Sequence, residues 1–186
     1  MRQQEFLNNP QKAITLIGMS GCGKTHISSI LENDGWDIYS CDHEIGALYL
    51  KDELNAQEAF SRDDIGALSV FLGKVGDEAK GGFSLDLFLQ RQKAYYDAEH
   101  TAISHMAEVL EKSEQNFIHD STGSLCEIMD DGLIDQIGQK TLFVYLEIAL
   151  EDEREILKRA QDYPKPLFFP PAQFQELVQN YCSQVG

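Results

Sequence analysis

The chain has 186 residues, a formal net charge of −16 and a sequence pI near 4.5, a size that fits one domain with a real core. That charge argues against nucleic acid and acidic membrane surfaces as partners, because both require a basic footprint. The four cysteines, Cys22, Cys41, Cys126 and Cys182, lie far apart without a C-x-x-C pair, which excludes a disulfide framework and a zinc site and reads as small apolar fillers.

The polar leader over residues 1–12 lacks the apolar centre of a signal peptide, and no stretch is long enough to span a bilayer, so the cytoplasm is the expected location. The apolar run Ala13-Ile14-Thr15-Leu16-Ile17 predicts the first strand. It leads into Gly18-Met19-Ser20-Gly21-Cys22-Gly23-Lys24-Thr25, which satisfies the phosphate-loop (Walker A) pattern G-x-x-x-x-G-K-[ST] in full, between that strand and a helix predicted over 24–33. Glycines there let the backbone approach a ligand closely, and successive N–H groups converge on an anion at the positive end of the helix. Lys24 adds a charge for the β- and γ-phosphates, and the Thr25 hydroxyl is a ligand for Mg²⁺. Residues 18–25, with His26 next on the helix, are therefore the expected site of ATP with Mg²⁺.

Asp34-Gly35 marks the turn out of that helix, and residues 36–40 read as a short second strand. Helical periodicity returns over 42–50. The segment 51–82 is the least regular, with short helices over 56–60 and 64–72 and then a glycine-rich break. From 84 to 112, Phe88, Tyr95, Ala98, Ala102, Met106, Val109 and Leu110 keep near the ~3.6-residue period of one long helix or two joined ones. Asn116-Phe117-Ile118-His119-Asp120 is the third strand, stopping at Ser121-Thr122-Gly123, and a helix or two fill 124–138. Thr141-Leu142-Phe143-Val144-Tyr145-Leu146 is free of alternation and β-rich, as in a strand buried on both faces of a parallel sheet. A charged helix over 151–160, a proline-stiffened loop over 162–167 and a helix over 172–183 complete the chain. Strands separated by helices predict a three-layer, doubly wound α/β fold of the phosphate-loop NTPase type. Its parallel sheet has four or five strands, with ligands at their carboxyl ends.

Three strand ends then face one crevice. The first carries the phosphate loop, the second Ser40-Cys41-Asp42, and the third Asp120-Ser121-Thr122-Gly123. Asp42 is placed to accept a hydrogen bond from an acceptor hydroxyl or to hold a Mg²⁺-bound water, with a helix N-cap as the structural alternative. Asp120 is either a metal-side carboxylate or a turn residue. His119 reads as a packed or surface histidine, and the other histidines share no ligand spacing. Arg154, Lys158, Arg159 and Lys165 in the 151–167 segment suit a cationic lid over the triphosphate, or merely a solvated helix face.

The chain resembles shikimate kinase and its relatives, the small phosphate-loop kinases that include nucleoside monophosphate kinases. The match lies in residues 16–25, in Asp42-His43-Glu44-Ile45, in residues 141–148 and in Lys165-Pro166-Leu167. The resemblance implies a single kinase-like domain over 1–186. Its parallel sheet would have five strands in the order 2-3-1-4-5, with a substrate-binding insertion at about 43–112 and a lid at about 151–170. It also implies ATP- and Mg²⁺-dependent phosphorylation of a small hydroxylated metabolite, with Lys24, Asp42 and Lys165 catalytic and Lys158 near the nucleotide. Thr25 and Asp120 would serve the metal, and Asp42, Tyr96, Ser121, Thr122 and Gly123 the acceptor.

Departures from the family pattern bear on the substrate. The family's Asp-x-Asp is Ser40-Cys41-Asp42 here, so the metal-side aspartate is missing. Its Phe-Arg-x-x-Glu falls at Tyr95-Tyr96-Asp97-Ala98-Glu99, and its last-helix arginine falls near Tyr181. Two lost arginines remove the bidentate clamps that a carboxylate ligand requires, which points away from shikimate. Lys158 and Lys165 stand where the lid usually carries arginines. The fifth strand implied by the family has no counterpart up to Gly186. A protein partner or second copy over the sheet edge, a truncated chain and loose base recognition are the open alternatives. A nucleotide-binding regulatory module without transfer activity is the second functional reading.

Overall fold

The computed structural model describes residues 1–54, 66–76, 78–128, 130–162 and 171–185. Strands β1 (Ala13–Ile17), β2 (Asp37–Ser40), β3 (Phe117–Asp120) and β4 (Leu142–Tyr145) form one parallel sheet in the order β2-β3-β1-β4. Leu16 aligns with Asp120 on one side and Val144 on the other, and Ser40 aligns with Asp120. This register brings the carboxyl ends of β1, β2 and β3 level, so the segments that follow them open onto a common crevice.

Because strand side chains alternate, each strand feeds both faces. One face presents Ile14, Leu16 and Ile118 to Phe6 of α1 (Gln3–Asn8) and to Ile27 and Leu31 of α2 (Lys24–Asn33). The other carries Ala13, Tyr39 and Phe117 into a larger cluster with Ala102, Ile103 and Met106 of α5 (Leu85–Lys112). Helices therefore cover both faces, giving the three-layer α/β architecture expected from the strand–helix alternation. Phe117, Ile118, Ile103 and Met106 are fully buried, and each such side chain contributes roughly 1.5–3 kcal/mol.

The segment between β2 and β3 rests on α5, which is one continuous helix of 28 residues whose N-cap Ser84 accepts from Leu87 N at 3.4 Å. A short helix α3 (Cys41–Glu44) passes directly into a π-helical turn over Ile45–Tyr49. Helix α4 (Gly66–Leu72) buries Leu68, Phe71 and Leu72, while the helix expected over 56–60 lies outside the described residues. Arg91 of α5 pins the following chain. It donates to Phe71 O at 2.9 Å, and its guanidinium stands over the rings of Phe83 and Phe71 at 4.3 and 5.1 Å. Gly73, at φ +60, has no room for a side chain there, since a Cβ would lie 2.0 Å from the Phe83 ring.

Beyond β3 come α6 (Asp131–Lys140), capped by Asp130 through Leu133 N at 2.9 Å, then α7 (Leu150–Asp162) and α8 (Pro171–Val185). The expectation that the fourth strand is buried on both faces is corrected. Leu142, Phe143 and Val144 are half-buried and Tyr145 is 67% exposed. The reason is topological: β4 pairs with β1 and forms the edge of the described sheet. No helix among the described residues is long and apolar enough to cross a membrane.

A buried polar row crosses the α5-side face of the sheet. Thr141 donates its single hydroxyl proton to Ile137 O at 3.0 Å, so the 2.8 Å contact with Thr15 is donated by Thr15. The Thr15 oxygen then accepts from His119 Nδ1 at 3.3 Å, which fixes the Nδ1–H tautomer. Burial lowers the His119 pKa to about 3, so the ring is neutral and packed, against Tyr39 at 5.9 Å between centroids.

Candidate active site

The phosphate loop folds by local rules. Gly21 and Gly23 hold φ of 85° and 97°, in the left-handed region that favours glycine. At Gly18 the constraint is space as well: a Cβ would lie 2.7 Å from Cys22 Sγ and 2.9 Å from Leu146 O. Gly23 is the N-cap of α2 and supplies no capping side chain, and the first turn carries no acidic residue. The leading amides and the positive helix end are thus presented to an anion, as a phosphate requires. Lys24 is 7% exposed and curls over the loop, donating to Gly18 O at 2.8 Å and Met19 O at 3.1 Å.

A cavity of about 250 Å³ opens beside this loop, lined by Ser20, Gly21, Gly23, Lys24, Thr25, His26, Asp42, Ser121 and Gly123. The three strand ends singled out in the sequence do meet there. Ser121 Oγ donates to Leu16 O at 2.5 Å and so ties the post-β3 connection to β1. At Gly123 an added Cβ would lie 3.1 Å from Ser20 N, so a glycine lets this connection press against the phosphate loop. Thr122 is buried, with its backbone close to the Cys41 thiol. Met19 lines a separate hollow beside Tyr145, and Cys22 lies on the far side of the loop.

Opposite the loop stands an acidic wall. The N-cap of α3 is Ser40, so Asp42 sits inside the first turn and the capping alternative for it does not hold. Tyr95 of α5, 2% exposed, lies close to Asp42: burial first, then the charges of Asp42 and Glu99, push its phenol well above the ordinary range. One turn further on, Glu99 is fully buried and accepts from Ser124 Oγ at 2.7 Å. Cys41 lies fully buried among these groups. Burial first, then the charges of Glu99, Asp42 and Asp120, push its thiol well above the ordinary range, so it is a neutral filler. Asp120, 3% exposed, belongs to this wall but does not line the cavity.

The residues present suit a magnesium nucleotide. Thr25 and Asp42 place a hydroxyl and a carboxylate in one cavity. Among the described residues no group of three His, Cys, Asp or Glu side chains is arranged to hold a metal by itself. Mg²⁺ is ordinarily held by one or two protein oxygens with phosphates and water supplying the rest.

Other predicted residues lie elsewhere. Tyr96 turns from the cavity and donates to Ile128 O at 3.0 Å. Lys158 is exposed on α7. The part of α7 nearest the loop is acidic: Asp152, Glu155 and Ile156 line a second cavity of about 310 Å³ with Gly21, Cys22, Glu147, Ile148 and Ala149. Lys165 lies outside the described residues. Three residues of the acidic wall, Tyr95, Glu99 and Ser124, escape a reading for chemistry. The available signal is the four-residue spacing of Tyr95 and Glu99, which puts both on one helix face.

No family model matches the chain, and no curated protein matches it. Among solved structures it is similar to the shikimate kinase of Acinetobacter baumannii in complex with shikimate, at 18% identity and a TM-score of 0.42, over 92% of this chain and 75% of that one. The shikimate kinase of Aquifex aeolicus is similar at 15% identity and a TM-score of 0.42, over 92% and 96% of the two chains. A sugar kinase from a Janibacter species is similar at 13% identity and a TM-score of 0.38, over 94% and 95%. The phosphate-loop α/β class itself rests on this chain's own strand order and on residues 18–25.

Proposed function

We propose that the protein is an ATP- and Mg²⁺-dependent phosphotransferase acting on a hydroxyl of a small neutral or cationic metabolite. The observation that carries this reading is the single cavity in which Lys24, Thr25 and Asp42 meet. In it, the loop amides and Lys24 hold the triphosphate, and Thr25 holds the metal ion with Asp120 behind it. The ion neutralises charge on the β- and γ-phosphates when bound. Asp42 accepts the proton of the acceptor hydroxyl as that oxygen bonds to the γ-phosphorus and the bond to the ADP oxygen breaks. Ser121, Thr122 and Gly123 shape the acceptor side, with Tyr96 supporting it through Ile128. Lys158 and Lys165 close over the transferred group.

The acceptor class follows from charge. Lys24 and His26 are the basic side chains among the described lining residues, and Lys24 is committed to phosphate. A carboxylate acceptor would face Asp42 with no arginine among the described lining residues to clamp it.

A screen of small hydroxylated metabolites for ADP release tests the proposal. The expected result is turnover with one compound, lowered about 100-fold or more by Asp42→Asn while MgATP affinity stays within about threefold. Tight MgATP binding with no acceptor and no hydrolysis would instead establish a nucleotide-binding regulatory module.

A further inference from the structure

The connection after β3 is fixed at both ends. At one end Ser121 Oγ donates to Leu16 O of β1 at 2.5 Å. At the other, Ser124 Oγ donates to Glu99 Oε1 of α5 at 2.7 Å, with both residues buried. A contact of that length to a carboxyl shielded from water is a firm one. Between these two points Gly123 comes up against the phosphate loop, where an added Cβ would lie 3.1 Å from Ser20 N. Ser121, Gly123 and Ser20 line the same cavity as Lys24 and Asp42, while Glu99 and Ser124 stand behind it. Helix α5 is a sound anchor for the second end. Tyr96 donates to Ile128 O and His100 meets Asp130, each at 3.0 Å. Residues 96, 99 and 100 are spaced for one helix face, and together they fasten the chain from 124 to 130.

We propose that Glu99 is a positioning residue: through Ser124 it holds Gly123 against Ser20 and so sets the cavity wall beside the transferred phosphoryl group. The inference rests on the phosphotransferase reading above, in which that group lies between Lys24 and Asp42. Without the Glu99 contact the end at Ser124 is released while the tie at Ser121 remains, and Gly123 and Ser20 lose their fixed separation. A supporting contact of this kind acts through the geometry of the groups it holds rather than by touching the ligand. A nucleotide that ends at the β-phosphate does not reach that wall, so MgADP should feel the loss far less than MgATP.

The test uses the full chain and measures MgATP affinity, MgADP affinity and urea unfolding. The proteins compared are the unaltered one, Ser124→Ala, Glu99→Leu, Glu99→Gln and the double variant of Glu99→Leu with Ser124→Ala. Ser124→Ala and Glu99→Leu are each expected to weaken MgATP binding about tenfold and MgADP binding no more than about twofold. The double variant should bind MgATP within about twofold of the weaker single one, because the two residues share one contact. Glu99→Gln keeps an accepting oxygen and should hold MgATP within about threefold of the unaltered protein. A merely structural role would lower stability and leave the ratio of the two affinities unchanged. The inference alone is overturned by a Ser124→Ala protein with unaltered MgATP affinity, or by equal losses for the two nucleotides. Losses that multiply in the double variant overturn it as well, as does Glu99→Gln proving as damaging as Glu99→Leu. An unaltered protein that binds neither nucleotide overturns the phosphotransferase reading and this inference together. Should Glu99→Leu fail to fold, Ser124→Ala and Glu99→Gln are judged by the same outcomes.

Discussion

The crevice has two walls made in different ways. The phosphate-loop wall is contiguous: residues 18–26 supply glycine turns, helix-end amides, one lysine and one threonine. The facing wall is assembled from Asp42 after β2, Tyr95 and Glu99 on α5, Asp120 at the end of β3 and Ser124 beyond it. The first is electropositive through backbone dipoles and Lys24, and the second is acidic. In the proposed function a polyphosphate has one side to bind, and a hydroxyl acceptor meets carboxylates on the other. The two sides also differ in what holds them up. The loop is self-supporting, with Lys24 bonded to its own carbonyls, whereas the acidic wall is assembled from segments far apart in the sequence.

The largest effect expected from breaking this contrast is on the loop side. Lys24→Ala removes the cation and should weaken MgATP binding by about 100-fold or more, read by calorimetry, since charge-assisted bonds to phosphate contribute ~1.5–3 kcal/mol each. Affinity unchanged by the substitution would mean that residues 18–25 do not hold a triphosphate at all.

Next comes the layer on which the acidic wall rests. Folded His119 titrates at about 3, below its ordinary 6.5, so between those values the unfolded chain binds a proton that the folded chain excludes. The His119 contribution is complete above pH 6.5 and is lost as the pH falls toward 3. At pH 5 the loss is about 2 kcal/mol. Urea unfolding at pH 7 and pH 5 checks this: the difference between the two should shrink in His119→Gln, and an equal difference in both proteins would show that the ring titrates normally.

The smallest expected effect on stability is on α7, outside both walls. Lys158 is exposed, so Lys158→Ala should shift unfolding stability by no more than ~0.5 kcal/mol. Turnover should nonetheless fall several-fold if its charge joins the transferred phosphate, as proposed for the lid. Unchanged turnover would leave the acidic side of α7, with Asp152 and Glu155, as the part that faces the nucleotide.

Some of the molecule is readable without tertiary structure because its causes are local. The bounds of β1 and α2 follow from an apolar run, three glycines and a helix-forming stretch that ends at Asp34-Gly35. The loop's chemistry follows from spacing alone. The long helix α5 is visible in its period, and so is the parallel α/β class. The burial of the fourth strand is not, because an apolar run reads alike in the middle of a sheet and at its edge, and only pairing decides. Nor does the sequence tell Tyr95 from Tyr96. The two are adjacent on one helix, and the rotation of α5 against β2 and β3 buries one ring in the core and sends the other's hydroxyl to Ile128.

By itself the sequence determined the phosphate-loop pattern proposed to hold an anion, since eight consecutive residues contain every turn, amide and charge the loop requires. Tertiary structure alone decided what faces that loop. The acidic wall draws its groups from separate segments, and their distances depend on sheet order, register and helix rotation, which no local stretch encodes.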